Sequence, residues 1–328
     1  MIKHKICKIL LVILAIFLCV AFYELLGICV AYKKQPEVSN TTKKETKNGS
    51  WNECSENTER AVIIEKNPEA LLQRVRLIKN AKKEIILSTF AFQSDESGKL
   101  ILGALHDAAD RGVHIRLLVD GMESWIDMEG NPYFYGLSSH ENVEIKLYNK
   151  ANPLKPWKMM GRMHDKYLIA DGKRYILGGR NTYNYFLGDF PGHKNYDRDV
   201  LVVCDEPEKE NSVNQLSEYF ETIWNQEDSG YFHDNKKLAN RKSVKNAVLE
   251  LQNGYQKYFE ENKERICDTD YTDETFETEK ITLVSNPIHT GSKEPVVWYQ
   301  LGELMKNAQN RVKIHTPYII CNDMMYNT

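Results

Sequence analysis

The run His164-Asp165-Lys166-Tyr167-Leu168-Ile169-Ala170-Asp171-Gly172-Lys173-Arg174-Tyr175-Ile176-Leu177-Gly178-Gly179-Arg180-Asn181 decides the fold. Tyr167 to Ala170 and Arg174 to Leu177 are β-prone, and Asp171-Gly172 separates them. An Asp-Gly pair between two such runs predicts a hairpin, because both residues tolerate positive φ. His164 and Lys166 are two apart, so strand alternation sets imidazole and ammonium on one face. Gly178 and Gly179 carry no Cβ, so another group can come close to the backbone there, and Asn181 follows with an amide. A histidine, a cation and an amide beside bare backbone suit a phosphate: Lys and Asn hold its oxygens while His attacks phosphorus or moves a proton.

The run resembles the phospholipase D superfamily, whose H-x-K-x4-D-x6-G-G-x-N pattern is met at His164, Lys166, Asp171, Gly178, Gly179 and Asn181. Six fixed residues recur by chance in a chain this long roughly once in 10^5 sequences of average composition. Arg180 and the sequence Asp197-Arg198-Asp199-Val200 are most similar to the cardiolipin-synthase-like branch. The resemblance covers residues 60–328, most specifically 162–204. It implies an α/β phospholipase D-like lobe, a mixed sheet flanked by helices. It further implies a catalytic set of His164, Lys166, Asp171, Asn181 and Asp197, with Gly178, Gly179 and Arg180 on the substrate side. Asp197, with Asp199 second, matches the carboxylate that holds the histidine ring. Each residue has a plainer reading. Asp171 is explained by its Asp-Gly turn, the glycines by a strand end, Arg180 by a surface charge, and Asp197 by pairing with Arg198.

The composition is that of a globular protein of 328 residues, 42% hydrophobic and 27% charged, long enough for two domains. A net charge of -3 disfavours nucleic acid as partner. The seven cysteines form no C-x2-C pair and no usual metal-ligand spacing occurs, so neither a metal nor another cofactor is expected.

Residues 9–31 are almost wholly apolar, with Glu24 the one charge, and read as a single-pass anchor within an N-terminal segment 1–32. A cleaved signal peptide is the alternative; Cys19-Val20-Ala21 is a poor cleavage site. Lysines on both flanks leave the side of the membrane open. Residues 33–58 read as a flexible linker, 59–228 as the first lobe, 229–275 as a charged linker with helical stretches, and 276–328 as the start of a second lobe.

Within the first lobe, the apolar spacing predicts a helix over 68–82, a buried strand over 84–92, a helix over 100–110 and a strand over 113–119. That order is a βαβ unit. Residues 121–142 read as a long aromatic loop, 143–148 as a strand, and 212–225 as an amphipathic helix. The stretch from Leu304 to Thr316 repeats that from Leu77 to Thr89 in register, with shared Leu, Lys, Asn, Ala and Thr. A helix end entering a buried strand is expected in both copies. A second H-x-K at the same offset falls near position 391, so the chain reads as a fragment of a longer protein.

The expected function is a membrane-anchored phosphodiesterase or phosphatidyltransferase, cardiolipin synthase-like, working through a phosphohistidine on a phospholipid. A second lobe, from a missing C-terminal half or a homodimer, then supplies the second histidine. The alternatives are a nuclease of the same superfamily acting as a dimer, and an inactive membrane-tethered interaction module.

Overall fold

The computed structural model describes residues 2–48, 59–204, 211–233, 235–314, 316 and 326. The chain divides into two units: residues 1–53, 152–161 and 283–328 in one, residues 54–151 and 162–282 in the other. In the first, helix α1 (Ile2–Tyr32) is the one element among the described residues long and apolar enough to cross a membrane, and its apolar side chains are exposed along its length. Helix α2 (Asn40–Asn48) falls where the sequence reads as a flexible linker. It is ordered by Glu294, which accepts from the Ser39 N–H at 2.8 Å and the Thr42 hydroxyl at 2.7 Å. Residues 49–58 of that expected linker lie outside the described residues.

The second unit is built on a mixed sheet of nine strands. They are β1 (Arg60–Ile64), β2 (Glu84–Thr89), β3 (His114–Asp120), β4 (Val143–Tyr148), β5 (Tyr167–Ala170), β6 (Arg174–Gly178), β7 (Asp199–Val203), β8 (Ser229–Tyr231) and β9 (Phe276–Glu277). Their order is β8-β4-β3-β2-β5-β6-β7-β1-β9. The central trio β2, β3 and β4 is parallel and every other pair is antiparallel. Helix α3 (Asn67–Asn80) precedes β2, and α4 (Glu96–Asp110) makes the β2-to-β3 crossover that the sequence predicts. Asp95 caps α4 by accepting the Gly98 N–H at 3.0 Å.

Strand alternation sorts the sheet's side chains into two layers. Ile85, Leu87, Ile115, Leu117, Val119, Leu168, Ala170, Leu201 and Val203 join the main core with α3 and α4. Their neighbours Ile86, Leu118, Ile169 and Val202 are equally buried on the other face. The expected loop over 121–142 holds two short helices, α5 (Glu123–Asp127) and α6 (Pro132–Ser138). Its aromatics divide: Phe134 and Tyr135 are buried, Trp125 is exposed. Helix α7 (Ser212–Trp224) lies over the second face, where Tyr219 meets Tyr167 and Phe220 lies under the Arg116 guanidinium.

The segment 229–275 is a part of this core rather than a linker. Strand β8 extends the sheet beside β4, and α8 (Lys242–Glu261) buries Val244, Leu251, Tyr255 and Phe259. Its polar residues simply occupy the outer face of an amphipathic helix. Helix α9 (Lys263–Cys267) follows and buries Ile266. In the first unit, the sequence repeat gives a helix, α10 (Val296–Lys306), but no strand: residues 311–314 are exposed and outside any strand, and His315 lies outside the described residues. A β-prone run becomes a strand only when a neighbour completes its hydrogen-bond ladder, which propensity alone does not supply.

Candidate active site

The hairpin forms as its turn dictates. Asp171 and Gly172 sit at φ 56° and 63°, and β5 pairs with β6 from Tyr167–Leu177 to Ala170–Arg174. The Asp171 side chain has a structural task. Its carboxylate accepts the peptide N–H groups of Lys82 at 2.8 Å, Lys83 at 2.7 Å and Glu84 at 3.0 Å. It thereby ties the turn to the start of β2, four strand residues away from Lys166.

His164 and Lys166 stand just before β5, at the carboxyl ends of the parallel strands β2 and β3, where open α/β sheets place their ligand clefts. The alternation expected of a strand already holds there, because the Gly178 N–H reaches the Lys166 carbonyl at 3.2 Å. Lys166 Nζ is 3.1 Å from His164 Nδ1 and 2.7 Å from the His164 carbonyl oxygen. Asp165, between them, points the other way and accepts from the Tyr219 hydroxyl at 2.7 Å. Phe90, just past β2, lies under both: its ring centroid is 4.7 Å from that of His164 and 5.4 Å from Lys166 Nζ.

The electrostatics follow from burial. Lys166 is almost fully buried, and desolvation brings its ammonium down to about 8 against the pull of Asp165 and Asp197. His164 is lowered from its ordinary value, first by desolvation and then by the Lys166 charge. Both effects favour the neutral ring. A protonated Lys166 can only donate, so Nδ1 is the acceptor and the ring proton sits on Nε2.

Asn181 is buried, and its carbonyl oxygen accepts the Ala91 N–H at 3.2 Å. Its amide nitrogen is thus the group left to donate, beside the Tyr183 hydroxyl, which burial pushes up and the Asn181 bond pulls down. The adjoining Thr182 docks on the other side of the same strand end, its N–H bonded to the Ala91 carbonyl at 3.1 Å. His164, Lys166 and Asn181 thus border the end of β2 together.

Five other expected site residues have different surroundings. Arg180 is not a surface charge. It is fully buried, bonded to the Asn67 side chain, to the carbonyls of Ile64, Glu65 and Asp197, and paired with Asp199 at 3.2 Å. Asp199 also holds Arg74 at 2.9 Å, so it is not available to the histidine. The bare backbone of Gly178 and Gly179 is filled from within: a Cβ on Gly178 would overlap Asp199, and one on Gly179 would overlap the Asp197 carboxylate. Asp197 accepts the Arg198 N–H at 2.7 Å, and among the described residues no hydrogen bond joins it to His164. Its charge is felt at Lys166 instead.

Sequence reasoning missed the parts that come from β2, β3 and their following loops. Asp120, the buried last residue of β3, accepts the Met163 N–H at 3.2 Å and pairs with Arg162, clamping the two residues before His164. Burial draws the Arg162 guanidinium down to about 10. Phe90 and Asp120 lie 74 and 44 positions before His164 in the sequence, so no local spacing announces them.

The family described as cardiolipin synthase, PLD-like domain, matches residues 74–224. Over 212 residues the chain is 30% identical to an uncharacterised protein of Helicobacter pylori strain J99, covering 60% of this chain and 39% of that protein. Over 154 residues it is 30% identical to cardiolipin synthase C of Escherichia coli, covering 43% of this chain and 31% of that protein. The solved structure of Nuc, a phospholipase D family member from Salmonella typhimurium, aligns at a TM-score of 0.39 and 18% identity, over 54% of this chain and 99% of that one. The chain spans well under half the length of the two curated relatives.

Proposed function

We propose, from the premise that residues 74–224 belong to the phospholipase D superfamily, that this chain cleaves or transfers a phosphodiester through His164, with a phospholipid as substrate and α1 as membrane anchor. The observation that carries the reading is the His164 imidazole held 3.1 Å from the buried Lys166 side chain. Substrate phosphate draws the Lys166 ammonium to its oxygens, which frees Nδ1. One ring nitrogen then attacks phosphorus while the other keeps the proton; an N–P bond forms and a P–O bond to the leaving alkoxide breaks. Lys166 and the Asn181 amide stabilise the phosphoryl oxygens as their charge grows. The proton for the alkoxide comes from an acid outside this set, a second histidine from a further lobe or a second copy. Water then gives hydrolysis, and an acceptor alcohol gives transfer; with phosphatidylglycerol as acceptor the product is cardiolipin.

Support for lipid over nucleic acid comes from the net charge of -3 and from α1. The test is to incubate the reconstituted chain with phosphorus-labelled phosphatidylglycerol, quench in alkali and look for acid-labile label on the protein. Label that disappears in His164→Ala is expected. Label unchanged by that substitution, or obtained from DNA and never from lipid, overturns the reading.

A further inference from the structure

A short apolar tip is tied to the segment that carries His164. Helix α5 exposes two large apolar side chains in succession, Trp125 at 67% and Ile126 at 73%. A soluble surface has little reason to present such a pair at a helix this short. The tip is also held in place. Asp120 accepts the N–H groups of Met122 and Glu123, both at 3.2 Å, through one carboxylate oxygen, and the Met163 N–H through the other. One buried side chain thus joins the start of α5 to the residue before His164.

The exposed surface continues across the mouth of the site. Tyr183, next to Asn181, feels the charges of Glu123 and Asp127 on α5, and its ring lies 5.3 Å from that of Tyr185. The Asn195 N–H bonds the Tyr185 carbonyl at 2.7 Å, which brings up Tyr196, 83% exposed. Asn184 anchors this loop by exchange with the α4 cap: its N–H donates to Asp95 at 2.7 Å and its side-chain oxygen accepts from Ser97 at 2.9 Å. Lys194, two positions before Tyr196, brings a positive charge, while Arg198, two positions after it, is paired with Glu65 at 2.9 Å. Burial raises the carboxyls of Glu123 and Asp127, so the two acids beside the tip take up protons readily where dielectric falls.

We propose that Trp125, Ile126, Tyr185 and Tyr196 form a rim that rests in the interface of a lipid bilayer and sets the mouth of the site against it. The chemistry fits that partner: an apolar tip for the acyl boundary, amphipathic phenols for the headgroup layer, and the Lys194 ammonium for lipid phosphate. The proposal rests on the phospholipid reading of His164, since a bilayer is where that substrate resides.

The test reads contact without turnover, so it stands apart from any failure of catalysis. The full chain is reconstituted in vesicles of phosphatidylcholine and phosphatidylglycerol, and the emission of Trp125 is taken as the difference from Trp125→Phe. Lipids brominated on the acyl chain near the headgroup are expected to quench most of that emission, and acrylamide to lose access to it. Ile126→Trp on the Trp125→Phe background moves the reporter by one residue and must be quenched likewise. Full quenching by acrylamide with none by bromolipid places the tip in water and overturns the proposal. Protection from both places a protein surface over the rim and overturns it equally.

Discussion

Nζ of Lys166 lies 3.1 Å from Nδ1 of His164; burial lowers the proton affinity of both groups, and the Lys166 charge lowers that of His164 further. The rate of phosphoenzyme formation should therefore rise through the lowered histidine pKa, below 6.5, and fall as Lys166 loses its proton near pH 8. Lys166→Arg keeps a cation that does not titrate in this range. The measured profile of that variant should lose its alkaline limb while keeping the acid one.

Lys166 also costs stability. Its pKa is about 8 in the fold against 10.5 ordinarily, so the unfolded chain binds the proton more tightly. The cost is present in full below pH 8 and disappears as pH rises from 8 to 10.5. It is on the order of 3 kcal/mol at pH 7. Lys166→Met should therefore abolish turnover yet raise the unfolding free energy by about 1–2 kcal/mol at pH 7. Denaturant titration at pH 7 and above pH 10.5 should show the gap and then its closing.

Asp171 gives the opposite pattern. Asp171→Ala removes the acceptor of three peptide N–H groups at the start of β2 and should cost about 2 kcal/mol of stability. Where the variant remains folded, its kcat should equal that of the parent, and thermal melts paired with initial rates separate the two effects. A fall in kcat at constant folded fraction would return Asp171 to the catalytic set.

The glycines divide in the same way. Gly172 has open space around its Cβ position, so Gly172→Ala meets only the strain of φ 63° and should cost about 1 kcal/mol. Gly179→Ala must push the Asp197 carboxylate aside and should cost about 1–3 kcal/mol and displace the Lys166 profile as well. Comparing melting temperatures of the two variants checks the order.

Arg180 and Asp199 are a buried pair, with Arg74 on the same carboxylate. Asp199→Asn should cost about 3–5 kcal/mol, since it leaves two arginines uncompensated in the interior. Double variants pairing it with Arg74→Met should recover a part of that loss, measured as a coupling energy.

The sequence speaks most clearly where the chemistry is local. The hairpin, its turn and the shared face of His164 and Lys166 follow from strand period and from residues that accept positive φ, and the structure has all three. It speaks less clearly about acids and arginines, whose roles depend on what faces them. Arg180 reads as a surface charge and Asp199 as a second candidate for the ring-holding acid, yet the strand pairing of Gly178 with Asp199 lies where both are buried. Polar α8 reads as a linker because burying one face through five residues is enough to dock a helix, and that stripe is weak against so much charge.

By itself the sequence determined the βαβ unit, the motif hairpin, the apolar N-terminal helix and the set of groups able to handle a phosphate, because each rests on contacts between residues close in the chain. The tertiary structure decided which of those groups meet. It turned Asp171, Arg180 and Asp199 to holding the fold, filled the bare glycine backbone with Asp197 and Asp199, and brought Phe90 and Asp120 from distant strands to the flank of His164. The physical reason is that burial and pairing set the charge state and the task of a polar side chain, and both are properties of the packed sheet rather than of any segment within it.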